Sequence, residues 1–329
     1  MKKIFCLDRY KNPASNISKK LDAELNILNL KNYHSLEKQV FGYKNTPHSH
    51  KHEEIFVYHE FKLNINDSLL ELLCILDLLG KNLKITLILP FLPYLRQDKS
   101  FEDIDSSLNN KMFSNSSVGS RMISNLFSIY NISKIYTFDA HSPRSLSYFK
   151  QEVLNLEPTE SYYHKLLEIE KKENIKITDG NCEVIAPDYG SINRAKSLAQ
   201  KIKSNLIIYK KTRNGEAIEM NIENYETLDR NASISSCKKA IIVDDIIDTG
   251  STILCAIKNL KNYDIIILVA THILSWRFLN KLPKNKHIMI IFCNSLQEYK
   301  KLTNDQYNQN KIKKNLSIYK IDIDEVMCL

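Results

Sequence analysis

What the sequence lacks narrows it first. With 7 glycines and 8 prolines among 329 residues and 43% hydrophobic residues, it has the composition of a globular protein. No apolar run approaches the roughly 20 residues of a membrane span. The basic start Met1-Lys2-Lys3 reaches Asp8 and Arg9 before a signal-like apolar core can form, so a cytoplasmic protein without membrane association is expected. The seven cysteines (Cys6, Cys74, Cys182, Cys237, Cys255, Cys293, Cys328) are odd in number, scattered and without a CxxC pair. That excludes a disulfide framework and leaves reduced thiols, several inside apolar runs. The net charge is +8, yet no basic cluster is interleaved with aromatics and no nucleic-acid-binding motif occurs, so no nucleic-acid partner is expected. The length accommodates two domains of ordinary size.

What is there is organised around Ala240-Ile241-Ile242-Val243-Asp244-Asp245-Ile246-Ile247-Asp248-Thr249-Gly250-Ser251-Thr252. A β-branched run closed by a glycine turn reads as a buried strand, and Ile253, Leu254, Ile257 and Leu260 then mark one helical face. Thr249, Gly250, Ser251 and Thr252 stand where the backbone N–H groups of a helix start point outward, which suits a phosphate dianion. Asp244 and Asp245 would repel that phosphate, and make sense facing sugar hydroxyls or a divalent metal.

The remainder alternates strands with helices. A strand from Phe5 leads to a helix expected over 18–28, and 54–59 is a short strand. Asn66-Asp67-Ser68 is expected to cap a helix so rich in leucine (69–79) that it must be buried. Strand 84–90 ends in Tyr94-Leu95-Arg96-Gln97-Asp98-Lys99, and strand 134–138, after a helix over 118–129, in Asp139-Ala140-His141-Ser142-Pro143. Between them, 100–117 has the length of a mobile flap. His48, His50 and His52 alternate, but with Ser and Lys between them they read as a solvated loop. In the second half, strand 183–186 ends in Pro187-Asp188-Tyr189-Gly190-Ser191 ahead of a helix over 193–203. Strand 205–209 ends in Lys210-Lys211-Thr212-Arg213, and strand 265–270 in Thr271-His272. This alternation means parallel sheets with crossovers, and polar residues at strand ends mark where such sheets bind ligands.

Taken together these stretches resemble the ribose-phosphate diphosphokinase family. The 243–252 stretch is similar to the phosphoribosyl diphosphate loop that type I phosphoribosyltransferases also carry, and the motifs ending at Lys99, Pro143, Arg213 and His272 follow in the family's order. The resemblance implies two α/β phosphoribosyltransferase-like domains with mainly parallel sheets, 1–150 on the ATP side and 151–329 on the ribose 5-phosphate side. They would be related by pseudo-twofold symmetry with the active site at their junction, and the last residues would pack back on the first domain. It implies transfer of the diphosphoryl group of Mg-ATP to ribose 5-phosphate, giving phosphoribosyl diphosphate and AMP for nucleotide biosynthesis. Asp248, Thr249, Gly250, Ser251 and Thr252 would hold the 5-phosphate and Asp244 and Asp245 the ribose hydroxyls. Arg96, Gln97, Asp98, Tyr33 and Glu37 would bind ATP, His141 and Asp188 would hold Mg²⁺, and Lys211 and Arg213 would act on the transferring groups from a flap. A homo-oligomer built from dimers, up to a hexamer, is implied. The rival readings are a non-catalytic regulatory relative and a type I phosphoribosyltransferase. The first would have lost Lys211, Arg213 or His141, and the second would not need Arg96-Gln97-Asp98.

Four departures from the family's pattern matter. Ser251 replaces a glycine and is tolerated only if its φ stays negative. Ser35 stands where an aspartate is usual, which leaves nucleotide preference open. The acidic Phe101-Glu102-Asp103-Ile104-Asp105 replaces basic residues, and the sequence ends at Cys328-Leu329. From the last two, weak or absent regulation by ADP and phosphate is expected.

Overall fold

A computed structural model describes residues 2–42, 54–99, 116–214, 217–226, 238–296 and 315–327. His48, His50, His52 and 100–115 lie outside the described residues. The chain divides into two compact units, Met1–Leu156 with Met327–Leu329, and Glu157–Val326.

In the first unit, β1 (Lys2–Leu7), β4 (Glu54–Tyr58) and β5 (Ile85–Ile88) are mainly apolar runs buried on both faces, as central strands of a parallel sheet must be, and β6 (Ile132–Phe138) beside them is only partly buried. With β2 (Glu24–Asn32), β3 (Lys38–Phe41) and β7 (Glu152–Leu156) they form a seven-stranded sheet in the order β3-β2-β1-β4-β5-β6-β7. Every pairing is parallel except β2 with β3. The second unit repeats this order and sense with β8 (Glu183–Ala186), β9 (Asn205–Asn214), β10 (Ala217–Glu226), β11 (Lys239–Ile247), β12 (Ile265–Ile273), β13 (His287–Cys293) and β14 (Leu316–Ile321). Its sheet runs β10-β9-β8-β11-β12-β13-β14, antiparallel only between β9 and β10. Helices α1 (Lys11–Leu21), α2 (Ile65–Leu79), α3 (Gly119–Phe127) and α4 (Pro143–Ser147) serve the first unit, and α5 (Thr159–Glu173), α6 (Ile192–Lys201) and α7 (Ser251–Asn259) the second. Among the described residues no helix is long and apolar enough to cross a membrane.

Three local expectations are corrected. The helix over 18–28 is instead the end of α1 and the start of β2. Asp22 takes a left-handed turn (φ 50°) with its N–H on the carbonyls of Lys19 and Ser18, and Leu25 and Ile27 then pair with Ile4 and Cys6 of β1. The leucines at 21, 25 and 28 have helical spacing, but pairing along a central strand outweighs that local preference. The cap of α2 is Asn64, whose side chain accepts the Asp67 N–H at 3.4 Å, while Asn66 accepts the Tyr94 hydroxyl. Helix α2 is also not buried all round: Leu72, Ile75, Leu76 and Leu79 enter the core, but Leu70 is 55% exposed.

A buried ion cluster holds the first unit's hairpin in place. Glu71 of α2, 1% exposed, is paired with Arg9 from the turn after β1, with Lys38 of β3 at 3.3 Å and with Lys62 at 3.7 Å. Three cations around one carboxylate tie α2, β1 and β3 together. Removing the carboxylate would strand buried charge.

Next to this cluster, His59 ends β4 fully buried, edge-on to Tyr10 and Phe61 at ring-centroid distances of 5.3 and 5.2 Å. Among the described residues neither ring nitrogen has a partner in hydrogen-bond geometry. Burial first, then the Arg9 charge, pushes its pKa down from 6.5 to about 3. Below pH 6.5 the unfolded chain therefore takes up a proton that the folded chain refuses until about pH 3, and stability falls as pH falls through that window. His59→Leu removes this loss. It is expected to gain about 2 kcal/mol over the native chain on going from pH 7 to pH 5, measured by urea unfolding at both values.

Candidate active site

In the second unit the central strand β11 supplies Asp244 and Asp245 near its carboxyl end, 8% and 4% exposed. The Asp245 N–H donates to Asp244 Oδ1 at 3.0 Å. Burial, then the neighbouring Asp245 carboxylate, then that of Asp188, holds the Asp244 pKa well above the usual carboxylate range, with Arg194 opposing. Arg194 stands on α6, its Nη1 3.7 Å from Asp245 Oδ1 and donating to the Gly190 carbonyl at 2.8 Å. Three carboxylates thus face one guanidinium. The raised pKa favours the protonated form of the pair, and a carboxyl that carries a proton can donate to as well as accept from sugar hydroxyls.

This burial has a testable cost. Asp244 loses its proton in the unfolded chain near pH 3.8 but keeps it well above that when folded, so stability falls as pH rises through that interval. Asp244→Asn preserves the acceptor for the Asp245 N–H and removes the charge. It is expected to raise the ligand-free melting temperature at pH 7.5 and to flatten its decline as pH rises above 3.8, read by calorimetry.

The chain leaves β11 through Asp248-Thr249-Gly250 and enters α7 at Ser251. Thr249 and Ser251 are exposed, and the Thr249 hydroxyl donates to Ser251 Oγ at 3.2 Å and accepts the Ser251 N–H at 3.4 Å. Gly250 caps α7 with φ 75°, and a Cβ there would lie 2.4 Å from Phe278 Cβ. Glycine is required twice over, by conformation and by contact. Ser251 is the first helical residue and is not among those with positive φ, so the replacement of a glycine costs it no backbone strain.

Asp188 follows β8 and opens the helical turn leading to α6. Its N–H donates to Ser191 Oγ at 3.3 Å and its carbonyl accepts that hydroxyl at 2.7 Å, so it serves helix capping in any event. Lys211 and Arg213 stand two positions apart on β9, opposite Met220 and Ile218 of β10, on an extended hairpin at the edge of the sheet. At the end of β12, Thr271 Oγ1 bonds the Tyr162 hydroxyl at 2.6 Å, and Ser295 Oγ donates to the Thr271 carbonyl at 3.2 Å. Ser295 Oγ also bonds His272 Nδ1 at 2.7 Å.

In the first unit the loops after β5 and β6 are joined. Asp98, 8% exposed, accepts the Ser142 hydroxyl at 2.6 Å, and its carbonyl accepts that of Tyr148 at 3.2 Å. This brings Arg96 and Gln97, both exposed, together with the loop carrying His141. Tyr94 (φ 64°) and Asp139 (φ 41°) hold left-handed backbone on either loop, strain that a well-bonded site sustains. Gly119 opens α3 where a Cβ would meet Gln97 Oε1 at 2.7 Å, and the Ser120 N–H and hydroxyl both donate to the Gln97 carbonyl. Tyr33 and Glu37 lie apart from these, closing the β2–β3 hairpin. The Tyr33 N–H donates to the Glu37 carbonyl at 2.9 Å, Ser35 Oγ donates to Glu37 Oε2 at 2.7 Å, and the Tyr33 hydroxyl donates to Gln39 at 2.6 Å. Lys31 sits 4.6 Å over the Tyr33 ring.

The place that β11 holds in the second sheet is held in the first by β4, which ends in Tyr58-His59-Glu60. There Glu60 is consumed internally, its carboxylate accepting the Tyr58 hydroxyl and its carbonyl that of Tyr10, each at 2.5 Å. Only the second unit keeps a carboxylate pair ahead of a glycine-capped helix. Among the described residues no group of three or more His, Cys, Asp or Glu side chains is arranged to hold a metal by itself. The excess of carboxylate at Asp188, Asp244 and Asp245 nevertheless suits a cation arriving with phosphate oxygens of its own.

The roles of Arg194, Ser142, Ser295 and Tyr162 were not legible in the sequence. Arg194 carried one signal, a basic residue six positions after Asp188 on the following helix. The others are defined by long-range contacts alone.

Comparison with known proteins agrees with this anatomy. Residues 2–116 match the N-terminal domain of ribose phosphate pyrophosphokinase and residues 154–303 the phosphoribosyl transferase domain. The chain is 26% identical over 306 residues to the ribose-phosphate pyrophosphokinase of Mycoplasma genitalium, covering 90% of this chain and 83% of that protein. With the protein of that name from Sulfurisphaera tokodaii it shares 28% over 263 residues, covering 79% and 82%. Its fold matches the crystal structure of phosphoribosylpyrophosphate synthetase from Mycobacterium smegmatis with a TM-score of 0.73 at 21% identity, over 99% of this chain and 95% of that one.

Proposed function

Because the chain belongs to the ribose-phosphate pyrophosphokinase family, we propose that it transfers the diphosphoryl group of Mg-ATP to the 1-hydroxyl of ribose 5-phosphate, giving phosphoribosyl diphosphate and AMP. The observation that carries this reading is the buried Asp244–Asp245 pair leading into the Gly250-capped start of α7. A phosphate at a helix start and sugar hydroxyls at a carboxylate pair describe a phosphorylated ribose.

In this reading Asp248, Thr249, Gly250, Ser251 and Thr252 hold the 5-phosphate. Asp244 and Asp245 fix the ribose through its hydroxyls, with Arg194 holding Asp245 in place. Arg96 and Gln97 bind the nucleotide phosphates, and Asp98 positions them through Ser142. Tyr33 and Glu37 address the adenine. The bond formed joins the ribose O1 to the β-phosphorus, and the bond broken releases AMP while the hydroxyl proton goes to solvent. Little covalent work falls to the protein, so positioning and charge neutralisation dominate. Lys211 and Arg213 neutralise the transferring oxygens, one as a point charge and one as a fork. Mg²⁺, when bound, supplies charge neutralisation on the triphosphate, and His141 and Asp188 are its proposed protein contacts. The working protein is proposed to be a homo-oligomer built from dimers.

The test mixes purified protein with Mg²⁺, ATP and ribose 5-phosphate and follows AMP. AMP formation that requires ribose 5-phosphate is expected. No AMP above the control lacking the sugar phosphate would leave a regulatory relative.

A further inference from the structure

We propose that the outer flank of α7 is a second ligand site in the second unit, for a small organic phosphate in which a dianionic head is joined to an apolar body. Leu254, Cys255 and Lys258 follow Ser251 at the spacing of one helical face, and the segment from Lys281 to Lys286 walls that face into a cavity of about 590 Å³. That volume suits a ligand and exceeds what a few waters need. The floor is apolar, formed by Leu254, Ile257 and Pro283 with the half-buried thiol of Cys255.

Among the described residues the rim carries four lysines and no carboxylate lines the cavity. Lys286 is already engaged, donating to the carbonyls of Lys261 and Tyr263, and so pins the wall. Lys258, Lys261 and Lys281 are exposed and pair with no carboxylate among the described residues. Like charges converging over a concave apolar surface focus a positive potential. The complement of that potential is a multiply charged anion, and the complement of the floor is an apolar body beside it. Inorganic phosphate would satisfy only the first. Among the described residues the lining offers no aromatic, amide or carboxylate group that could read the edge of a base, so selection rests on charge and bulk.

Cys255 reports on occupancy from inside the cavity. The full-length protein is treated with iodoacetamide, with and without 1-naphthyl phosphate, and alkylation of Cys255 is followed by peptide mass spectrometry. The probe is expected to slow Cys255 alkylation at least fivefold, while inorganic phosphate at the same concentration leaves it unchanged. In the exposed double variant Lys258→Glu/Lys281→Glu, half-maximal protection should need at least tenfold more probe, and Lys258→Gln/Lys281→Gln should lie between. Both variants are compared with and without probe and checked for an unchanged circular dichroism melt. No slowing in the native chain, equal protection by inorganic phosphate, or protection undiminished in both variants would each overturn the proposal.

Discussion

Replacing Gly250 with alanine is expected to lower the melting midpoint of the second unit by roughly 6–12 °C and to abolish ribose 5-phosphate binding. Two costs add. A left-handed residue with a Cβ costs about 1–2 kcal/mol, and forcing extra volume against a fully buried neighbour costs about 1–3 kcal/mol. Here the neighbour is Phe278, 0% exposed and stacked on Trp276, whose ring is edge-on to Phe292 at 5.1 Å. Neither side of the contact can yield without opening the core. Gly250 also sets the first turn of α7, so displacement moves the N–H groups proposed to meet the phosphate. Calorimetry measures the first effect and isothermal titration with ribose 5-phosphate the second. A cycle with Phe278→Gly, which removes the Cβ as well as the ring, isolates the contact: the double variant should be at least about 1 kcal/mol more stable than additivity predicts. Strict additivity would show that conformation alone makes glycine necessary.

Lys211→Ala is expected to lower turnover by well over tenfold, about 1.4 kcal/mol or more of transition-state stabilisation, with ribose 5-phosphate affinity nearly unchanged. The reason is the reaction's charge distribution. In the proposed reaction the negative charge that most needs neutralising lies on the transferring diphosphoryl group, while the sugar phosphate is proposed to sit at the start of α7. A lysine on the β9–β10 hairpin, two positions from Arg213, serves the former. The measurement is kcat from AMP release beside the dissociation constant from titration. If affinity for ribose 5-phosphate falls as far as turnover, Lys211 belongs to ground-state binding instead.

The readable parts of the fold are those whose signal is local. Strand β11, its glycine turn and α7 follow from a β-branched run, a Gly and a helical apolar face within some twenty residues. The same holds for β12 and β13, continuous apolar runs closed by polar residues. Residues 18–28 failed for the opposite reason: three leucines at helical spacing belong to two elements, and only the pairing of β2 with β1 separates them. The strands β3 and β14 carry weak patterns because edge strands are half exposed.

At the site the division is similar. Which residues could hold a phosphate and a sugar was visible in Asp244 through Thr252, and the tolerance of Ser251 hung on one backbone angle that the sequence could pose but not answer. Residue identity and short-range spacing therefore determined most of the alternation of strands and helices and marked Asp244 through Thr252 as a candidate phosphate cradle, while the family rested on the resemblance of the motifs taken as a set. Tertiary structure decided that the two sheets share one strand order, although their sequences do not look alike. It also decided that Asp98 reaches Ser142, that Arg194 backs Asp245, that burial raises the Asp244 pKa, and that lysines from α7 and the segment before β13 converge on one cavity. Each of these depends on groups far apart in the chain and on the desolvation that brings them together, and neither is encoded in any short window of residues.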